Sequence, residues 1–219
     1  MPNGKLFIGT RRYSSWSLRG WLPVKLAGLD VEEVLIPLAG GSTLAVKAQT
    51  PSGTVPYLEH QGDRVWESIA ICEYCAEFAP ALWPDSLTAR TQARAIAAEM
   101  HSGFRELRAN MPMSLFRHAQ GAGRTPGALA DIARVETIWR ETRARFGAGG
   151  PFLFGAAFTN ADAMYAPIVC RFLTYAPELA AESRAYCEAV RTHPLVTEWY
   201  DAAAREPKAW FIPQYEVPA

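Results

Sequence analysis

At 219 residues the chain is long enough for two small domains or one large one. Lysine plus arginine and aspartate plus glutamate each number 22, so the formal net charge is zero. That balance argues against a protein devoted to nucleic acid and against a polybasic membrane anchor. Hydrophobic residues make up 49% of the chain, and the four cysteines (Cys72, Cys75, Cys170, Cys187) are too few and too scattered for a secreted disulfide scaffold. The N-terminus lacks a secretory apolar region, and no apolar run reaches the length of a membrane span. The expectation is a soluble, cytoplasmic protein with neither a nucleic-acid nor a membrane partner.

Strand and helix signals alternate over the first eighty residues. Lys5–Ile8 reads as a short buried strand, and Ser17–Leu26 carries Leu18, Trp21, Leu22 and Leu26 at helical spacing. Pro23 lies inside that helix, which predicts an early kink or a first-turn position. Val31–Leu38 is a second strand, Gly40-Gly41 a turn, and Thr43–Ala48 a short helix. Tyr57–His60 and Arg64–Trp66 flank Gln61-Gly62-Asp63 as a hairpin, and Ser68–Phe78 closes the unit as a helix. The order β-α-β-α-β-β-α is the thioredoxin-like arrangement, over residues 1–79.

Residues 80–86 read as a linker, and from 87 to 219 strand signals vanish. One long helix is predicted over Ser86–Asn110, a second over Ala128–Phe146, and a third from Thr159 through Phe172. The third opens on Thr159-Asn-Ala-Asp162, a capping pattern that gives Asp162 a folding role. Shorter helices follow over Glu178–Val190 and Pro194–Arg205, with an irregular tail from Glu206.

Two motifs carry chemistry. In Pro51-Ser-Gly-Thr54-Val55-Pro56-Tyr, a cis Val55–Pro56 bond would present the Val55 N–H and C=O to a peptide-like ligand. In Trp66-Glu67-Ser68 an acid and a hydroxyl stand at a helix N-terminus, a seat for a carboxylate. No histidine, cysteine and aspartate cluster has zinc spacing, so no metal is expected. Cys72-x-x-Cys75 lies within a helix rather than at the end of the first strand, which assigns it to core packing.

These motifs, with Tyr13-Ser14-Ser15-Trp16-Ser17-Leu18-Arg19 after the first strand, resemble the glutathione S-transferase superfamily over nearly the whole chain. The loop is similar to the Ser-Ser-Cys-Ser-x-Arg loop of zeta-class enzymes, and closer to a bacterial group carrying Tyr-Ser-Ser-Trp-Ser-Leu-Arg. Met100–Arg108 and Ala166–Phe172 resemble that group too. The resemblance implies a thioredoxin-like domain plus an all-helical domain, a homodimer, and glutathione as cosubstrate with a small electrophile. Trp16 replaces the zeta cysteine, which counts against zeta isomerase activity.

A free thiol with a pKa of about 8.5 is only slightly ionised at neutral pH, so a transferase must stabilise the thiolate. A donated hydrogen bond and the positive end of a helix both do so. Ser14 is the favoured thiol partner and Ser15 the alternate, one of the two being left to cap the helix. The resemblance assigns Val55 to glutathione's cysteinyl unit, with Thr54 and Pro56 beside it as glutathione-binding residues, Glu67 and Ser68 to its γ-glutamyl end, and Lys47 to its glycyl carboxylate. For the electrophile the candidates are Tyr13, Trp16 and Arg171, with His101, Phe104, Arg105 and Arg108 on one helix face. Arginines there favour an acidic or electron-poor substrate. Two alternatives stand beside conjugation: a glutathione-dependent cis–trans isomerase of the maleylacetoacetate type, and a binding protein that keeps the fold without catalysis.

Overall fold

The computed structural model describes residues 2–38 and 43–216; the Gly40-Gly41 turn and Pro218 lie outside them. β1 (Gly4–Gly9), α1 (Ser15–Leu26), β2 (Glu32–Ile36), α2 (Leu44–Gln49), β3 (Tyr57–His60), β4 (Asp63–Trp66) and α3 (Ser68–Phe78) follow in order. The sheet runs β2-β1-β3-β4, with β1 parallel to β2 and antiparallel to β3. Phe7 pairs with Val34 on one side and Tyr57 on the other.

The two-residue period of β1 separates two cores. Leu6 and Ile8 point into the large core with Leu18, Leu22 and Ile71 of α1 and α3. Phe7 points the other way, onto Ile36, Val46 of α2 and Tyr57. Each such fully buried aliphatic side chain contributes about 1.5–3 kcal/mol relative to exposure.

Beyond a 3-10 turn at Pro80–Leu82 come α4 (Leu87–Ser102), α5 (Arg105–Asn110), α6 (Pro126–Phe146), α7 (Asn160–Tyr175), α8 (Ala181–Thr192), α9 (Pro194–Ala204) and α10 (Pro213–Glu216). α7 is the central helix, with every residue but Leu173 buried. It packs against α1, α4 and α8, and its Asn160 Nδ2 donates to the Cys72 carbonyl of α3 at 2.9 Å. The architecture is therefore a four-stranded mixed sheet unit in the expected thioredoxin-like order joined to an all-helical unit.

Several expectations are corrected. The helix expected over Ser86–Asn110 is two helices, broken at Gly103–Phe104, where Phe104 takes a left-handed φ of 58°. A Cβ on Gly103 would stand 2.7 Å from the Glu99 carbonyl oxygen, so glycine permits the close turn. Asp131 Oδ2 of α6 then accepts the Leu107 N–H at 2.9 Å, satisfying a donor of the new helix start. Pro23 sits in the last turn of α1, neither early nor at its start. The tail after Glu206 is ordered into a 3-10 turn at Lys208–Trp210 and then α10. Asp162 has the folding role expected: it accepts the Thr159 N–H and hydroxyl at 2.9 Å each, the Leu153 N–H at 3.0 Å and the Tyr186 hydroxyl at 3.0 Å. Among the described residues, no helix is long and apolar enough to cross a membrane.

Candidate active site

A cavity of about 350 Å³ opens where the β1–α1 loop, the Val-Pro loop, α5, α7 and the C-terminal tail meet. It is lined by Tyr13, Ser14, Ser15, Trp16, Thr54, Val55, Arg108 and Arg171, among others. The Val55–Pro56 peptide is cis.

The two serines have different employment. Ser14, 5% exposed, is the N-cap of α1. Its oxygen accepts the Ser17 N–H at 3.2 Å, and its proton goes to Ser17 Oγ at 2.7 Å. Ser17 Oγ in turn accepts the Gly9 N–H at 2.8 Å, so the Ser14 hydroxyl is absorbed in joining β1 to α1. Ser15 is the first residue of α1, half-buried, and lines the cavity. Its oxygen accepts from an Arg171 terminal nitrogen at 3.3 Å. Among the described residues no acceptor takes the Ser15 proton. Both serines line the cavity, but capping occupies the hydroxyl of Ser14, the one favoured by position in the sequence.

Two guanidinium groups lie over Trp16. Arg19 lies 3.9 Å from its ring centroid and Arg108 5.3 Å, and the His101 ring meets it edge-on at 5.3 Å. Arg171 reaches the same corner from α7. Burial holds all three cations below the ordinary arginine range, against the pull of Asp131 in the case of Arg108; Arg171 falls to about 10, with burial first and repulsion from Arg108 second. For Arg19, burial leads, followed by Arg108 and Arg171. Among the described residues, Arg19 Nε and one terminal nitrogen are buried without a hydrogen-bond partner, as is Ser68 Oγ. Burial also depresses His101, with Arg19 adding to the effect, although Glu67 Oε2 is 3.6 Å away.

Other candidates fall elsewhere. Glu67, exposed at a φ of 70°, and Ser68, fully buried, flank the start of α3 and do not line the cavity. Lys47 is exposed on α2; its Cγ is 3.4 Å from where a Cβ on Gly53 would stand, which puts its stem beside the Val-Pro loop. The helix break dissolves the shared face expected of His101, Phe104, Arg105 and Arg108. Phe104 enters the core, Arg105 faces solvent, His101 backs Trp16, and only Arg108 lines the cavity.

Sequence reasoning missed the tail. Ile212 and Tyr215 line the cavity, and the Tyr13 hydroxyl donates to Glu216 while accepting the Ile212 N–H at 3.2 Å. Burial and the hydrogen bond to Glu216 push the Tyr13 phenol up to about 12. No local pattern links Glu216 to Tyr13. The stacking of Arg19 on Trp16, three residues earlier, is likewise visible only in three dimensions.

Residues 13–77 match the family model described as glutathione S-transferase, N-terminal domain, and residues 91–202 match that described as glutathione S-transferase, C-terminal domain. No curated protein matches the sequence. Among solved structures, a glutathione transferase homolog from Burkholderia gl BGR1 with bound glutathione is similar at 20% identity, with 93% of this chain and 99% of that one covered and a TM-score of 0.70. The theta class glutathione S-transferase of Xanthomonas axonopodis pv. citri, with glutathione bound, is similar at 26% identity, over 94% and 99% of the chains, with a TM-score of 0.60. The tau class enzyme of mango, Mangifera indica L., is similar at 18% identity, over 92% and 96%, with a TM-score of 0.67.

Proposed function

This chain belongs to the glutathione S-transferase family, and on that premise we propose that it activates the thiol of glutathione for conjugation to a small electrophile. The observation that carries the reading is the Ser15 hydroxyl, unspent as a donor at the N-terminus of α1 and sharing its cavity with Val55. A hydroxyl proton pointed at sulfur and a helix N-terminus behind it both favour the thiolate. Each unit of pKa lowering is worth about 1.4 kcal/mol.

Glutathione lies on the unit of residues 1–79, beyond which the linker 80–86 leads to the helical unit 87–219. Val55 pairs with the cysteinyl backbone, with Thr54 and Pro56 shaping the loop. Glu67 faces the γ-glutamyl ammonium, and the partnerless Ser68 hydroxyl meets the adjacent carboxylate. Lys47 reaches the glycyl carboxylate from beside Gly53. The electrophile enters against Tyr13, Trp16 and Arg108. The loop Tyr13–Arg19 places the chain beside the bacterial zeta-like group, while Trp16, wedged between Arg19 and Arg108, fills the place of the zeta cysteine and favours conjugation over isomerisation. By the same resemblance the working unit is a cytoplasmic homodimer engaged in detoxification.

Calorimetric titration with glutathione and with S-methylglutathione tests this reading. Saturable binding of both, with proton release for glutathione alone, is the expected result. No binding at millimolar ligand retires it in favour of a partner-binding relative without catalysis.

A further inference from the structure

Arg171 is a buried cation with no carboxylate to answer it. It is 5% exposed, and its three nitrogens donate to the Met111 carbonyl at 2.8 Å, the Pro167 carbonyl at 3.1 Å and Ser15 Oγ at 3.3 Å. None of the ion pairs among the described residues includes it. The ionisable groups acting on it are Arg108 of α5, Cys170 and Tyr175 of its own helix, and Arg19 of α1. Keeping an unpaired guanidinium this dry costs several kcal/mol in isolation. Two carbonyls aim the group and the third donor reaches across the two units to one hydroxyl.

Resting on the glutathione reading above, we infer that Arg171 is a positioning residue that acts through Ser15 to hold the cosubstrate sulfur as thiolate. A hydroxyl has one proton and two lone pairs. The Arg171 N–H occupies a lone pair of Ser15 Oγ, which fixes the rotor, directs the remaining proton into the cavity and polarises the O–H bond. When the thiol S–H bond breaks, its proton leaves to bulk water, the electron pair stays on sulfur, and the Ser15 O–H donates to the thiolate without itself ionising. The apo distance of 3.3 Å is long for such a bond, whose usual span is about 2.7–3.2 Å, and closes when the anion arrives. Arg108 and Arg19 add positive potential at the same corner; only Arg171 touches the hydroxyl.

The test is an ultraviolet titration of the bound thiolate in wild type, Arg171→Met, Arg171→Lys and Ser15→Ala, together with the Arg171→Met/Ser15→Ala double variant. In Arg171→Met the bound thiol pKa rises by about 1–2 units while S-methylglutathione affinity stays within about threefold. Arg171→Lys, which keeps the charge but not the fork, recovers part of the shift. In the Ser15→Ala background the Arg171→Met increment shrinks by at least half. An unchanged thiol pKa in Arg171→Met overturns the inference, and so does a full-sized increment in the absence of Ser15. If Arg171→Met does not fold, Arg171→Lys decides alone: a thiol pKa equal to wild type overturns the positioning role. Wild-type protein that binds no glutathione is a separate failure, of the transferase reading itself.

Discussion

Arg12 grips Glu216 with two parallel hydrogen bonds of 2.8 Å each, from Nε and a terminal nitrogen to the two carboxylate oxygens, across a separation of 204 residues. The same guanidinium lies between the rings of Phe116, at 4.4 Å, and Phe211, at 4.1 Å. The Tyr13 hydroxyl joins this carboxylate, so the tail, not the sulfur, is what Tyr13 serves. Glu216→Ala is expected to cost about 1–2 kcal/mol in chemical denaturation, the pair being partly exposed. It should also raise amide exchange over residues 206–216. Tyr13→Phe should leave the bound thiol pKa where it was.

The tail should loosen in acid. The hydrogen bonds from Arg12 first, and from Tyr13, hold the Glu216 carboxyl below the usual glutamate value of 4.5. A carboxyl whose folded pKa is depressed contributes stability above its unfolded pKa and loses it as pH falls through the folded value. Glu206 works in the opposite sense, since burial raises it despite the N–H groups of Arg11 and Arg12. Protection of the α10 amides, taken as the observed exchange relative to the intrinsic rate at each pH, should therefore fall between neutral pH and a pH below 4.5 in wild type. In Glu216→Gln that pH dependence should be lost.

The serines are separable by their readouts. Ser14→Ala removes an N-cap and should cost about 1 kcal/mol of stability, read by thermal melting. Ser15→Ala should leave the melt within about 0.5 kcal/mol and lower kcat about 10²-fold or more. The reverse pattern would return the thiol to Ser14.

Asp162 takes four hydrogen bonds in a fully buried setting. Asp162→Ala orphans the Leu153 and Thr159 donors and the Tyr186 hydroxyl together, and should cost about 3–5 kcal/mol in denaturant. Glutathione affinity, measured on the folded fraction, should be unaltered.

Gly103→Ala tests the break between α4 and α5. Its methyl would meet backbone rather than a yielding side chain, so a loss of about 1–3 kcal/mol is expected. Arg108 would be displaced with α5, weakening the electrophile site more than glutathione binding.

What the chain discloses before folding is its local chemistry. The apolar run Leu6-Phe7-Ile8 of a short buried strand and the capping pattern Thr159 to Asp162 are short-range signals, and both read through to the structure. The break at Gly103 was masked because a lone glycine is tolerated within a helical pattern and the deciding contacts lie with Glu99 and with Asp131 of another helix. Ser14 and Ser15 are adjacent and chemically identical. Only Ser17 below and Arg171 across the cleft give them different work. The tail's place at the cavity rests on pairs some 200 residues apart, which no window of sequence can register.

The grip of Arg12 on Glu216 also sets a timetable. During synthesis the loop bearing Tyr13 and Ser15 emerges early, yet its partners Glu206 and Glu216 are added 195 and 204 residues after the arginines they bind. At about 5–20 residues per second the ribosome needs about 10–40 s to supply them. For that interval the sheet unit can fold, but its cleft lacks a wall, and Arg12 has only Phe116 to stack on, since Phe211 is still to be made. A nascent chain stalled before residue 206 would thus display an open, apolar mouth to chaperones that the finished protein hides.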